Sequence, residues 1–554
     1  MMSLIFYNII YYLKRKQKSF QQSLTSYTYV HPKYIEPLLS NLNQLSNKQN
    51  LRESFDLFRN NEIFVFGKIF GPIRFDYDYF NNYQFEKNVY KPAYFNKADI
   101  KVPYEVGRLQ FLQKINLYFI QSAEVQKEIE SVSKIYGDLL DEIETSNANH
   151  VLWNSPMDVA IRMINLILDR NIKYVINENE NNKSLDELII KHFEFLKNNY
   201  ENKGNVVGNH YFVELVATLL FLKNYSFKEI DLEIDKVIKE IESEIISQFN
   251  SDFTNFEGST HYTALMIEAL LLIYLSIEND ERYKELTKKI KNIIIENKIF
   301  LKLLTIDNEL SQIGDNDSGR LLYFLYDEKE PLNMNWLFDL IDLSIKSESK
   351  NSIHKHSFEN SDSIEIESLL KVEHQAISIF QKEFDYYAYP DFGIYIWKNS
   401  TDYLSIRCGN LGQNGIGGHA HYDQLSIECY SNGKWFARDP GTGTYTDNIR
   451  VRNTYRSVES HWGPNLMFKN NQSFKECFEL NNIEPGKVLI FSQNQFLGKA
   501  KFNDVTIYRK IKIMDGQLNI TDFSEDSSLS EYKRWSSRKD GSKYSFSKGY
   551  KRFN

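Results

Sequence analysis

The stretch GGHAHYDQLSIECYSNGKWFARDPGTGTY, residues 417–445 of a 554-residue chain, carries both a fold signal and a cluster of reactive side chains. From Leu425 onward apolar and polar residues alternate, the period of a half-buried strand. Asn432-Gly433 then interrupts the alternation before Lys434-Trp435-Phe436-Ala437 resumes strand-forming character. An Asn-Gly pair between two such runs is the strongest short-range sign of a hairpin, because both turn positions need a positive φ. Working outward, FGIYIWKN (392–399), DYLSIRCG (402–409) and VTIYRKIKIMDGQLNITDF (505–523) show the same alternation, the last with Asp515-Gly516 at its turn. The C-terminal third is therefore expected to be antiparallel β.

Upstream the period changes to that of helices. In VLWNSPMDVAIRMINLILDR (151–170), Ser155 reads as an N-cap, Pro156 suits the first helical position, and Asp158 completes a capping-box-like pattern. YFVELVATLLFLKNY, IDKVIKEIESEIISQF, HYTALMIEALLLIYLSI and YKELTKKIKNIIIENKIFLKLL repeat this amphipathic style as far as about residue 345. Consecutive helices without intervening strands suggest helix pairs around a shared axis; periodicity alone leaves bundle, solenoid and closed toroid open. The polar stretch from about 346 to 385 reads as the boundary. The resulting division is a helical or irregular extension over 1–100, a helical domain over 101–365 and a β domain over 366–554.

Composition bounds the partners. Hydrophobic residues make up 42% and charged residues 25%, a globular balance. Lys+Arg total 66 against Asp+Glu 74, for a net charge of -8, which argues against a nucleic-acid partner. Three cysteines without CxxC spacing give neither a disulfide scaffold nor a cysteine metal site. The N-terminal MMSLIFYNIIYYLKRKQK has its positive charges after the apolar run, with no small-residue cleavage site following. That run is too short to span a bilayer, so a docked or peripheral helix is expected and no transmembrane helix.

Four polar clusters are candidates for chemistry. Gly208-Asn209-His210 opens a helix, where side-chain donors and free N–H groups suit an anion. Glu257-Gly258-Ser259-Thr260-His261-Tyr262 precedes a second apolar helix, and Tyr262 becomes a useful acid/base if its neighbours stabilise the phenolate. His421, Asp439 and His461 form a two-His, one-carboxylate set, a normal zinc combination; His419 lies two residues before the first of them. Gly314-Asp315-Asn316-Asp317-Ser318-Gly319-Arg320 resembles part of a calcium loop. Tyr326 stands where that loop needs its Glu, however, and Arg320 where it needs Gly, so a polar turn at the rim of the helical domain is expected. Trp153, Arg162 and the trio Arg450, Arg452 and Arg456 are candidates for binding sugar rings and acidic groups.

In order, WNSPMDVAIRMIN, GNHYFVEL, FEGSTHYTALMIEAL, GDNDSGR, GGHAHYDQLSIECYSNGKWFARDPGTGTY and YRSVESHWG resemble the heparinase II/III-like polysaccharide lyases, a family that includes heparin, heparan and alginate-oligomer lyases. The resemblance covers about residues 150–470. It implies an N-terminal incomplete (α/α) toroid followed by an antiparallel β-sandwich, with the site between the two, and β-elimination at a uronic acid as the reaction. It assigns Asn209 to neutralising the substrate carboxylate, with His210 beside it. Tyr262 would protonate the leaving oxygen, and His419 would act as base or as the tyrosine's partner. Tyr445, in preference to Tyr455, would be the second tyrosine. Trp153, Arg162, His261 and Arg456 would contact substrate, and His421, Asp439 and His461 would hold a structural Zn2+.

The implied partner is an acidic polysaccharide or oligosaccharide, leaving sugar identity, endo or exo action and oligomeric state open. The implied compartment is the cell envelope or periplasm, with the cytoplasm left open by the lack of a recognisable signal peptide. A short β domain after the last motif departs from the pattern and is expected to alter the groove or expose a strand edge. Two rival expectations stand beside the lyase: a non-catalytic glycan-binding protein of surface-polysaccharide production, and a zinc hydrolase.

Overall fold

In the computed structural model the helix Pro156–Ile176 (α1) begins where the sequence reading puts it. Ser155 Oγ accepts from Asp158 N at 3.4 Å, and proline occupies the first turn, where its missing N–H costs nothing. The structure describes residues 26–86, 94–177, 182–204, 207–345, 357–359, 366–379, 383–467, 473–481, 484–536 and 538–553. The N-terminal apolar run and half of the expected boundary segment lie outside these.

The chain forms two compact units. The first comprises residues up to Val65, Ile69–Ile241 and Leu322–Phe324. At its centre α1 is buried nearly all round and packs against Lys183–Lys197 and the helix Asn209–Asn224 (α2). Its polar stripe of Asp158, Arg162, Asn165 and Asp169 is buried too and is paired with Arg108, His192, Gln113 and Asn116, so both faces of the helix are covered by neighbours.

The second unit comprises Phe66–Lys68, Glu242–Leu321 and Leu325–Asn554. It contains the helices Thr260–Ile277 (α3) and Lys284–Leu303 (α4) together with the β strands. Among the described residues α3 alone is long and apolar enough to cross a membrane, and 94% of it is buried inside the protein. The compact units thus divide earlier than the change of period near residue 365. Specific bonds explain this: Lys398 Nζ donates to the carbonyls of Lys302, Leu303 and Thr305 at 2.8–3.1 Å, capping α4 with a cation at its negative end. A two-stranded ribbon, Thr305–Ile306 with Glu309–Leu310, also interrupts the region expected to be purely helical.

Five antiparallel strands form one sheet in sequential order: Asp385–Tyr389 (β1), Ile394–Lys398 (β2), Asp402–Arg407 (β3), Ile427–Ser431 (β4) and Lys434–Ala437 (β5). The β4–β5 turn is Asn432-Gly433, with φ of 48° and 75° as a hairpin of this class requires. After the helix Ile449–Tyr455 (α5), the short hairpin Ser473–Glu476 (β6) and Glu479–Asn481 (β7) precedes the second sheet. That sheet is built on Lys487–Phe491 (β8), Gln495–Phe502 (β9), Val505–Met514 (β10) and Gln517–Ser524 (β11), with Leu370–Glu373, Ile377–Ser378 and Phe358–Glu359 at its edges. Trp397, Leu404 and Ile427 of the first sheet share one apolar core with Phe491, Phe496 and Ile511 of the second, which makes the pair a sandwich.

One ionic group is sealed into this sandwich. Arg509 Nε and Nη2 each bind the Asp522 carboxylate at 2.7 Å, and His374 Nε2 lies 2.8 Å from the same group. Arg509 Nη1 also donates to the carbonyls of Leu425 and Trp462. Removing the guanidinium leaves a buried carboxylate without its counter-charge, so Arg509→Met is expected to lower stability by about 3–5 kcal/mol. The shift of the denaturant midpoint, with an unchanged slope, checks this.

Candidate functional site

Asp315 is fully buried in the second unit and gathers more charged partners than any sequence pattern announces. Arg452 grips both carboxylate oxygens, with Nη2 to Oδ2 at 2.7 Å. His419 Nδ1 lies 3.1 Å from Oδ2, and His421 Nε2 3.1 Å from Oδ1. Burial by itself would raise the Asp315 pKa; the Arg452 charge and the two histidine hydrogen bonds outweigh it and hold the carboxyl well below the ordinary range. The loop approaches closely because residue 314 is glycine: at φ +67°, an added Cβ would sit 2.7 Å from His419 O and 2.8 Å from Gly258 O. Asp315 N donates to His419 O, and Ser259 Oγ donates to Asp315 O at 2.6 Å. Ser259 Oγ also accepts from Tyr262 N, capping α3. One serine therefore joins the start of the tyrosine's helix to the aspartate loop. The 314–320 segment, expected as a polar turn at the rim, is corrected here to the buried centre of the site.

Around this carboxylate stand the aromatic and acidic groups. The Tyr262 and His419 rings stack at 3.8 Å with 22° between planes. His419 Nε2 is 3.4 Å from Glu257 Oε2, which also accepts from Gln413 Nε2 at 2.6 Å. The imidazole thus lies between two carboxylates, one at each nitrogen. Burial, then Asp317 and Asp315, push the Tyr262 hydroxyl well above its usual pKa, so the phenol keeps its proton at neutral pH. Tyr445 shares a side-chain contact with Tyr262, and its hydroxyl is likewise raised by burial and by Asp315. Arg452 lies 4.9 Å from the Tyr445 ring centroid. Tyr455, the other candidate, instead donates to Ser545 O at 2.6 Å.

The structure brings the expected metal set together. One ligand atom from each of His421, Asp439 and His461 lies within 4.8 Å of the others, and all three residues are buried. His421 presents Nδ1 to His461 Nε2 at 3.3 Å, while His461 Nε2 lies 3.1 Å from Asp439 Oδ2. The opposite nitrogens face acceptors: His421 Nε2 faces Asp315, and His461 Nδ1 faces Ser457 O at 2.7 Å. Those acceptors require N–H donors, so in the neutral tautomers both inward nitrogens carry lone pairs. Two lone pairs with a carboxylate oxygen beside them suit a cation, and second partners of this kind orient metal-bound imidazoles.

The remaining candidates sit differently. Arg162 is buried in the first unit and donates to His192 Nε2, Gly107 O and Leu152 O; Trp153 is buried beside it. Arg456 is fully buried and donates to Cys477 O and Asn453 Oδ1. His261 is buried 3.3 Å from Arg320, and burial together with that cation keeps its ring neutral. All four of these side chains, expected from sequence to contact substrate, are buried. Asn209 opens α2 and is buried, whereas His210 is 54% exposed and paired with Glu201. Partial burial would lower the His210 pKa, but Glu201 raises it to about 9, so it is an imidazolium at neutral pH.

Sequence reasoning missed Gln413 and the structural use of Arg452, and it named Glu257 and Asp315 without giving either a role. A cavity of ≈380 Å³ is lined among others by Phe256, Gly258, Gly412 and Asn414, the chain neighbours of Glu257 and Gln413.

A helical N-terminal region followed by an antiparallel β-sandwich, with a buried Tyr/His/Asp cluster beside a His/Asp/His set, defines the class. Residues 382–462 match the family described as heparinase II/III-like, C-terminal, and this part of the chain is heparinase II/III-like. The order of helical toroid and β-sandwich is that of heparinase III: one such structure aligns with a TM-score of 0.50 at 13% identity, over 90% of this chain and 72% of that one. A heparan sulfate lyase from Pedobacter heparinus aligns with a TM-score of 0.46 at 15% identity, over 89% of this chain and 74% of that one. A Paenibacillus xanthan lyase aligns with a TM-score of 0.44 at 8% identity, over 88% and 46% of the respective chains. No curated protein matches the sequence.

Because Asp315 fixes the His421 tautomer, Asp315→Asn is expected to weaken divalent-metal binding about 10–100-fold with all three ligands intact. Competition with a chromophoric chelator measures this.

Proposed function

We propose that the protein is a polysaccharide lyase that cleaves a uronic-acid-containing glycan by β-elimination. The observation carrying this reading is the stack of Tyr262 on His419, framed by Asp315 and Glu257. In the reaction a base removes the C5 proton, the released pair forms the C4–C5 double bond, and the C4–O bond breaks. The departing oxygen needs a proton, and the charge building on the carboxylate needs neutralising. Tyr262, a protonated phenol at neutral pH, suits the acid role toward the leaving oxygen. His419, its Nδ1 held by Asp315, suits the base role through Nε2, where the proton gained would face Glu257 Oε2 at 3.4 Å. Tyr445 is, by resemblance, the second tyrosine of the site. By resemblance Asn209 neutralises the carboxylate, and the start of a helix is chemically suited to that task.

The His421, Asp439 and His461 donors fit zinc. When bound there, the ion would supply a positive charge that ties the loop before β4 to the segments after β5 and α5. It is assigned a structural role, and no chemical step passes through it.

A screen of heparan, chondroitin, hyaluronan, alginate and bacterial capsule glycans should yield an ultraviolet-absorbing unsaturated uronate from at least one polymer. Tyr262→Phe should then lower kcat about 10²–10⁴-fold, the usual worth of a positioned acid. No product from any polymer, or full turnover by Tyr262→Phe, would end the lyase reading. Metal analysis should find about one zinc per chain, and Asp439→Ala should lose metal and thermal stability together. If chelation abolished turnover while the unfolding temperature stayed fixed, a metal-water hydrolase would be indicated instead.

A further inference from the structure

The β6–β7 hairpin has a feature that the acid/base reading leaves unused. Its tip is Cys477-Phe478, and the Phe478 side chain is 42% exposed. Large apolar rings in water are normal singly, but this one touches the reactive cluster. Its ring centroid lies 5.9 Å from that of His419 at 68° and 4.9 Å from that of Tyr445 at 78°, both edge-to-face arrangements.

The tip is held there by bonds that reach the centre of the site. Cys477 O accepts from Arg452 Nη2 at 3.2 Å and from Arg456 Nη1 at 3.0 Å. Arg452 is the residue that grips Asp315, so one guanidinium fixes both the carboxylate holding His419 and the strand turn carrying Phe478. The Gly418 backbone adds a steric match: a Cβ there would stand 3.2 Å from Phe478 O. An exposed ring positioned by two buried arginines is preorganised, and preorganisation of an apolar face is useful where a ligand covers it.

We propose that Phe478 is the stacking platform of a sugar subsite beside Tyr262 and His419, taking a pyranose ring through a face made of C–H bonds. Such a face is apolar although the sugar's rim is hydroxylated, so the ring is recognised by shape while the charged groups are left to other contacts. Arg456 then acts as a positioning residue for the hairpin. This inference rests on the lyase reading for the identity of the reacting sugar, but the binding claim is separable from it.

The test uses the full chain in a Tyr262→Phe background, so that bound glycan is not consumed. Tetrasaccharides of hyaluronan, chondroitin, heparosan and alginate serve as probes. At least one should bind, and Phe478→Ala should weaken its Kd about 10-fold or more, as expected for loss of a ring-stacking contact. Phe478→Trp should restore binding, and its emission should change on adding that tetrasaccharide. With Tyr262 intact, Phe478→Ala should raise KM with kcat largely retained, the mark of uniform binding. A role confined to folding would instead lower the unfolding temperature and leave Kd unaltered. No binding of any probe, equal Kd for wild-type and Ala side chains at 478, or silent emission from Phe478→Trp overturns the subsite. Product formation with an unchanged KM in Phe478→Ala overturns the subsite and leaves the lyase. Binding that depends on Phe478 without any product leaves the subsite and removes the lyase.

Discussion

The Asp315 carboxylate is the constraint on which the rest of the site depends. Taking such a group out of water costs several kcal/mol, which is offset only by good geometry on every lone pair. Arg452 supplies the counter-charge, His419 and His421 supply the other two donors, and no position is left for water. Each bond has a separate consequence. The one to His419 sets the tautomer of the proposed base, the one to His421 sets the tautomer of a metal ligand, and the one to Arg452 brings in the β6–β7 hairpin. A single buried charge thereby links the reactive pair, the metal set and the hairpin carrying Phe478.

Much of the fold was legible in the sequence because its signals are local. The cap at Ser155, the Asn432-Gly433 turn and the alternation through β9–β11 each depend on residues within a few positions of one another, and each appears where expected. The metal set was legible for a related reason: His421, Asp439 and His461 are donor types with few other uses at such density. Asp315 was not, since its partners lie 104, 106 and 137 residues away and its own neighbours mimic a solvated turn. Arginine partners are hard to read for the same reason. A guanidinium read in sequence is an unpaired charge in search of an anion, whereas Arg162 and Arg456 spend theirs on buried carbonyl oxygens and side-chain acceptors.

The net charge of -8 shows why composition is a weak guide to an anionic ligand. Long-range attraction depends on exposed charge and is screened within about 8–10 Å in physiological salt. What acts at a site is local. In the second unit the cations nearest the reactive pair are committed to Asp315 and to backbone carbonyls, and the exposed element is an aromatic ring. In the first unit His210 is an exposed imidazolium whose charge is partly offset by Glu201.

That distribution separates two tasks that composition merges. Charge buried on Arg452 cannot attract a polyanion from solution, because Asp315 neutralises it at contact distance. It can hold a carboxylate, two imidazole tautomers and a hairpin in one geometry. On the proposed reading, recognition of the glycan falls to groups that are not charged: the phenols of Tyr262 and Tyr445 and the Phe478 ring. A lyase built this way would read the shape and hydroxyl pattern of its sugar more than its charge density. Its selectivity among acidic glycans would accordingly follow the faces of the ring that the polymer leaves unsubstituted.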